Sequence, residues 1–481
     1  MVVAQADHDD DDELGLLTID EAAKFLGTSK STLYRLLGQG DLSATKVGKQ
    51  WRFRKSDLRA YLNRDASPAE PEITDIDEEK MRMLLDDEPI VQLGYNIVLQ
   101  AIREKASDIH IEANKNGVRV RFRIDGVLQD ILSVPKEVQG PLIARFKVLA
   151  DLNLSERRIP QDGRIPLRHE GIEYDLRVNC LPTNFGESLS MRLLNRSSVL
   201  LKLDKLGFAP EELASIQHLF NKPSGMILAS GPAESGKTMF LYACLNELNK
   251  PDVKIVTIED PVEYIIPGLL QVHVQQRAGM TFQAALRAFM RQDADVIMVS
   301  DTRDEEVAHL AIEAAVAGRV VLGAMYAESA PATLFRLTDM GMEAYLVAAA
   351  VSGIVNLRMA RRLCVHCKRA VDPAEASRLL RKVMSVSAAG GYSINVVPAL
   401  YEAVGCDECH GLGFQGRLPL HEVLVCNPQL AKQMLQCRDA SEAIRLAVES
   451  GMRTLVADGV SKAVAGETTV DEVLRVTLGP L

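Results

Sequence analysis

At 481 residues the chain has room for roughly three domains of ordinary size. Its 47% hydrophobic content supplies sizeable cores, which excludes both a small disulfide-stapled scaffold and global disorder. The 55 Lys and Arg set against 65 Asp and Glu leave a formal charge of −10, so the molecule is no general polyanion binder and only a local basic patch remains open.

The opening MVVAQADHDDDDE is acidic where an export signal is basic and then apolar, so a cytoplasmic location is expected. Residues 1–15 read as a disordered acidic tail. From Leu16 to Arg64 the chain reads as helix, turn, helix, a hairpin turning at Val47-Gly48-Lys49, and a helix, with Thr18 and Ser29 as N-caps. Ten basic residues stand against four acidic ones there, a net of +6 inside an acidic protein. This segment resembles the excisionase-type winged helix-turn-helix. The resemblance implies DNA contact through Ser31, Thr32, Tyr34 and Arg35 on the second helix and Lys49, Arg52 and Arg54 on the wing. A protein-docking role is the alternative. Residues 65–87, acidic and Pro-containing, suit a linker.

Residues 88–203 read as an α/β domain, with a helix and strand over EPIVQLGYNIVLQAIREKASDIHIE and a hairpin turning at Asp125-Gly126. From Gly225 the strands GMILASG, KIVTIED, DVIMVSD and RVVLGAM alternate with helical segments, the pattern of a parallel sheet with crossovers. The apolar stretch Ala344–Leu357 is too short to span a bilayer and reads as a buried helix; no transmembrane segment is expected.

GPAESGKT, Gly231–Thr238, satisfies GxxxxGK[ST] between a strand and a helix. Backbone amides at such a helix start surround phosphate oxygens, Lys237 adds a point charge and Thr238 a hydroxyl for Mg²⁺, so ATP binding through Gly231, Ser235, Gly236, Lys237 and Thr238 is expected. Further on, Cys364-x-x-Cys367 and Cys406-x-x-Cys409 can offer four thiolates to a structural Zn²⁺; four reduced thiols without metal are the alternative. Cys180, Cys244, Cys426 and Cys437 have no such spacing and read as core or bystander residues.

From about Glu88 to the C-terminus the chain resembles the type II secretion and type IV pilus assembly ATPases. The strings that carry the likeness are ASDIHIE, VRFRIDGVL, RRIPQDGRI, YDLRVNCLPTNFGES, GPAESGKT, TIEDPVEY and RQDADVIMVSDTRD. The resemblance implies an α/β architecture: a PAS-like domain over 88–203, a RecA-like P-loop ATPase core over 204–360, a tetracysteine zinc element over 361–424 and a C-terminal helical subdomain over 425–481. It also implies a homo-hexamer, inner-membrane secretion or pilus platform partners with peripheral attachment there, and Mg-ATP hydrolysis. In that scheme Glu259, Asp260 and Glu263 form an acidic box that orients metal and water, and Arg164, Arg177 and Arg192 reach phosphates, although any one of them can equally serve a surface pair.

Two motifs depart from the family pattern. The strand that should end in Gly-Glu ends in Ser300-Asp301, which shortens the catalytic acid by a methylene, and Arg319 and Tyr326 stand where the pattern has histidines. Weakened hydrolysis is the expectation, with drift that leaves activity intact as the alternative. A rival reading from a different class is a nucleotide-sensing DNA-binding regulator or adaptor built on a motor body.

Overall fold

The computed structural model describes residues 16–25, 44–47, 50–54, 89–195, 202–386 and 399–478. The acidic tail, the linker, and Ser29, Ser31, Thr32, Tyr34, Arg35 and Lys49 lie outside the described residues. The chain divides into two compact units: Met1–Asp86 with Pro166–Arg168, and all the rest.

In the first unit β1 (Leu16–Thr18) leads into α1 (Ile19–Phe25), and β2 (Thr45–Val47) pairs with β3 (Gln50–Arg54). The strand order is β1-β3-β2, so the expected hairpin forms and β1, a strand that the sequence pattern does not announce, joins it. Thr18 caps α1 as expected: its Oγ1 accepts from the Glu21 amide, while Glu21 Oε2 accepts from the Thr18 amide at 2.7 Å. This reciprocal pair satisfies two donors that the helix itself leaves free. Among the described residues of this unit, Phe53 and Ala22 are fully buried.

The second unit opens with α2 (Pro89–Arg103), β4 (Asp108–Asn114), β5 (Gly117–Ile124), β6 (Val127–Pro135) and α3 (Lys136–Leu149). Then come β7 (Gln161–His169), β8 (Ile172–Thr183) and β9 (Gly186–Asn195). They build a six-stranded sheet ordered β6-β5-β4-β9-β8-β7. The β5–β6 hairpin turns at Asp125-Gly126, both with positive φ, as that dipeptide favours.

After α4 (Pro210–Phe220) the chain enters β10 (Gly225–Ser230), then α5 (Lys237–Leu248), β11 (Ile255–Glu259) and β12 (Leu270–His273). Next follow α6 (Phe282–Phe289), β13 (Val296–Val299), α7 (Glu305–Val316) and β14 (Val320–Met325). Then come α8 (Ala330–Asp339), α9 (Ala344–Ala350) and β15 (Val351–Leu363). Beyond β16 (Arg369–Ala370), α10 (Pro373–Val386) and β17 (Tyr401–Glu402), β18 (Phe414–Val425) precedes four helices, α11 (Pro428–Leu435), α12 (Ala440–Glu449), α13 (Leu455–Val464) and α14 (Val470–Leu478).

The main sheet is ordered β12-β11-β13-β14-β10-β15-β18, parallel except for β18, which runs antiparallel to β15. Every residue of β10, β11, β13 and β14 is buried, as expected of strands covered by helices on both faces. The stretch Ala344–Leu357 departs from expectation: it is helical only to Ala350, and β15 begins at Val351. The β-branched Val351, Ile354 and Val355 favour the pleat. Gly353 brings the strand so close to α4 that a Cβ there would meet Leu219 Cδ1 at 2.3 Å. Among the described residues no helix is long and apolar enough to cross a membrane.

Candidate nucleotide site and tetracysteine cluster

In a parallel sheet the loops that leave the carboxyl ends of adjacent strands share one edge, and ligands bind there. That edge gathers Gly231–Gly236 after β10, Asp260–Glu263 after β11, Ser300-Asp301 after β13 and Tyr326 after β14. The loop after β10 is a close-packed turn. Gly231 has φ +139° and a Cβ there would lie 2.4 Å from the Leu357 carbonyl, so no larger residue fits. Gly236, φ +96°, opens α5.

Lys237 Nζ donates to the carbonyls of Gly231 (2.9 Å) and Pro232 (2.5 Å) and lies 4.3 Å from the centre of the Tyr326 ring. Burial pushes its pKa down to about 8, against the pull of Asp301. Ser235 Oγ is buried without a hydrogen-bond partner. An orphaned hydroxyl, a clustered ammonium and a helix start make a donor-rich cradle, which is the chemistry phosphate oxygens require.

The acids at and after the end of β11 divide by environment. Glu259 is 1% exposed; its carboxylate accepts from Tyr242 Oη, from Thr257 Oγ1 at 2.6 Å and from Gln271 Nε2 at 3.1 Å. With both oxygens engaged it lies beneath the site and anchors the loop. Asp260 is exposed, and its amide donates to Ser300 Oγ at 3.3 Å. Glu263 is half-buried. Burial raises its pKa, while Arg177, Arg192 and a hydrogen bond with Thr238 oppose the rise. The phosphate loop's own threonine therefore meets Glu263 and not Glu259.

Asp301 has one buried oxygen, Oδ1, without a partner, and its Oδ2 pairs with Arg303 Nε at 2.6 Å. Burial lifts its pKa against the charges of Arg303 and Lys237. Arg319 sits at the other end of β14, where its Nη2 donates to the Met290 carbonyl at 3.2 Å and its backbone carbonyl accepts from Gly225. Six residues of strand put it roughly 20 Å from Tyr326, so of the two departures from the histidine pattern only Tyr326 touches the loop.

The three arginines converge unequally. Arg177 has Nε and Nη2 buried without hydrogen-bond partners and interacts electrostatically with Glu263. Arg192 binds Asp108 Oδ1 (2.9 Å) through Nε and Glu234 Oε1 (2.6 Å) through Nη2, which brings it to the phosphate loop. Arg164 is taken by Asp175, 2.6 Å away. Sequence reasoning missed Glu234, Tyr242 and Arg303. Two were readable, Glu234 as an acid inside a loop meant for anions and Arg303 as a base two residues from Asp301; Tyr242 depends on long-range packing.

The four cysteines meet. Sγ–Sγ distances are 3.8 Å for Cys364–Cys406, 3.8 Å for Cys367–Cys409 and 3.7 Å for Cys406–Cys409, and all four sulfurs lie within 4.8 Å of one another. A tetrahedron with Zn–S bonds of about 2.3 Å has edges of about 3.8 Å. Amides of Gly405, Cys406 and Gly413 point at the sulfurs of Cys367 and Cys409 (3.1–3.3 Å), which suits thiolates. His366 and His410 are exposed beside the cluster. Of the remaining cysteines, Cys180, Cys244 and Cys426 are buried and Cys437 half-buried. A second group, Glu212, His421 and Asp458, also has ligand spacing. There the Lys462 ammonium, 2.6 Å from Asp458 and 3.2 Å from His421 Nδ1, already takes the cation's place.

In the first unit Arg52 is half-buried on β3, with Nη1 donating to the Trp51 carbonyl, and Arg54 ends the same strand. The second helix, with the proposed base-reading side chains, lies outside the described residues.

A family model described as "Type II/IV secretion system protein" matches residues 83–475, and one described as "Helix-turn-helix domain" matches residues 16–66. Type IV pilus assembly ATPase PilB of Myxococcus xanthus is 39% identical over 419 residues, which cover 87% of this chain and 73% of the relative. Type II secretion system protein E of Xanthomonas campestris pv. campestris is 41% identical over 404 residues, covering 83% and 70%. Among solved structures, the Legionella pneumophila ATPase DotB matches with a TM-score of 0.59 at 18% identity over 82% of this chain and 98% of that one, a likeness of fold.

Proposed function

We propose that this chain, which belongs to the type II/IV secretion system protein family, binds Mg-ATP at the Gly231–Thr238 loop and hydrolyses it slowly as a cytoplasmic, hexameric assembly motor. The observation that carries the reading is the shared edge of the main sheet, where Lys237, Thr238, Glu263, Asp301 and Arg192 converge. Bound Mg-ATP supplies an electrophilic phosphorus and the metal's charge. Lys237 and the loop amides hold phosphate oxygens, and the Thr238 hydroxyl suits the metal. Glu263, its basicity raised by burial, and Asp301, whose buried Oδ1 has no partner, are the acids left to orient and deprotonate water; Glu259 acts through the loop as a positioning residue.

The layout that accompanies this reading is a PAS-like domain over 88–203, a RecA-like core over 204–360, a zinc element over 361–424 and a helical end over 425–481. Partners at an inner-membrane secretion or pilus platform suit a motor of this family. The net charge of +6 over residues 16–64 supports DNA as a further partner of the helix-turn-helix segment.

Phosphate release from the full chain with Mg-ATP, with and without duplex DNA, tests both parts. Asp301→Glu is expected to raise kcat about tenfold with KM nearly unchanged, because it restores the reach of the carboxylate and leaves Lys237 and the loop amides alone. Arg303 must release the longer acid for that gain to appear. Wild-type turnover already as fast as an ordinary motor of the family refutes the idea that Asp301 limits the rate. Absence of both binding and release refutes the ATP reading itself.

A further inference from the structure

Glu234 stands inside the phosphate loop with φ +60°, a left-handed conformation that a glycine adopts without penalty and a glutamate does not. Its carboxylate turns to Arg192. The guanidinium of Arg192 is held from behind by Asp108, a buried acid on β4 that Ser107 Oγ orients at 2.7 Å. With Nε fixed in this way, Nη2 reaches Glu234 Oε1 at 2.6 Å, and the pair is half exposed, 50% for the arginine and 41% for the glutamate. Glu234 also lines a cavity of about 270 Å³ beside the loop, together with Pro232, Ser235, Arg358, Arg361 and Arg417. A fixed negative charge thus sits where the loop's donors are arranged for an anion, and it engages an arginine positioned to meet one.

We infer that Glu234 is a charge gate: its carboxylate occupies Arg192 as an internal substitute for phosphate, and a nucleotide must displace it to gain the arginine. This rests on the reading of Gly231–Thr238 as the ATP site. Two costs fall on the incoming nucleotide. The Glu234–Arg192 pair is broken, and the carboxylate remains a few ångströms from phosphate oxygens of the same sign. Like charges at that distance in a partly solvated site repel appreciably even after screening. Glu234 therefore lowers nucleotide affinity and speeds release, and the effect is electrostatic.

The competing role, a tie that fixes the loop to β9, predicts the opposite sign, because removing a tie loosens the site and weakens binding. Stopped-flow release of mant-ADP with Mg²⁺ from full-length protein separates the two. Glu234→Gln keeps size and backbone conformation while removing the charge; Glu234→Gly also relieves the left-handed strain. Both are expected to slow mant-ADP release about tenfold. The difference between Glu234→Gln and wild type should shrink as salt rises from 50 to about 500 mM. In an Arg192→Ala background the same Glu234→Gln change should gain less, since there is no guanidinium to free.

Unchanged or faster release in both Glu234 variants overturns the gate while leaving the nucleotide site standing. A salt-independent gain overturns its electrostatic basis. If neither wild type nor any Glu234 variant binds mant-ADP or mant-ATP, the nucleotide reading itself fails.

Discussion

Lys237→Ala is expected to lower Mg-ATP affinity by about a hundredfold or more, with little change in thermal stability. The side chain opens α5, and its ammonium is the single cationic group of the Gly231–Thr238 loop. Its present partners are the carbonyls of Gly231 and of the exposed Pro232, backbone acceptors that water entering the space left by the ammonium can satisfy. What cannot be replaced is a charge-assisted bond to phosphate, worth roughly 1.5–3 kcal/mol for each contact. Alanine at the first turn of a helix keeps the backbone in place. Titration calorimetry against Mg-ATP reads the loss, and unchanged affinity would falsify the phosphate-site assignment.

The same lysine sets a pH dependence. Burial holds its pKa at about 8, whereas phosphate contact stabilises the charged form and raises it. Binding above that pH therefore takes up a proton, so affinity falls as pH rises through about 8, toward tenfold per unit. A flat affinity between pH 7.5 and 9.5 would show that Lys237 does not carry its proton to the nucleotide.

Much of this site was legible because it depends on local order. GMILAS followed by GPAESGKT specifies a buried parallel strand, a glycine turn and a helix start in one stretch, and the two CxxC pairs carry their own spacing. The reading of Ala344–Leu357 as one helix failed because a continuous apolar run has no period; Val351–Leu357 forms strand through its pairing with β10 and β18. The acidic box was legible as a string but not in its division of labour. Glu259 and Glu263 differ because Tyr242 on α5, Thr257 and Gln271 engage both oxygens of the first, while Thr238, one turn before Tyr242 on the same helix, meets the second. Likewise Arg319 and Tyr326 look like a pair in sequence. β14 places them at opposite ends of the sheet, so substituting Arg319 with His bears on packing near Met290 and not on the nucleotide.

The tetracysteine cluster carries the second large effect. Cys364 follows β15 directly and Cys409 lies five residues before β18, so four Zn–S bonds would close a long excursion at the outer ends of two paired strands. Purified chain is expected to hold about one zinc, read by elemental analysis. Cys364→Ser or Cys406→Ser should release it and destabilise the element by several kcal/mol, because most of the metal's binding free energy is folding free energy where ligands come from separate segments. The disturbance has a defined route. Lys368 donates to the Gly466 carbonyl at 2.7 Å, the Leu363 amide donates to the Glu467 carbonyl at 2.8 Å, and the Cys364 amide to that of Gly413 at 3.0 Å. Metal loss should therefore speed amide exchange at Leu363 and Cys364 and expose the turn between α13 and α14, while the buried strands β10 and β13 keep their protection. If instead the protein arrives without zinc and all four thiols react freely with a thiol reagent at unchanged stability, the cysteines are bystanders, and the β15–β18 pairing alone holds this end of the sheet.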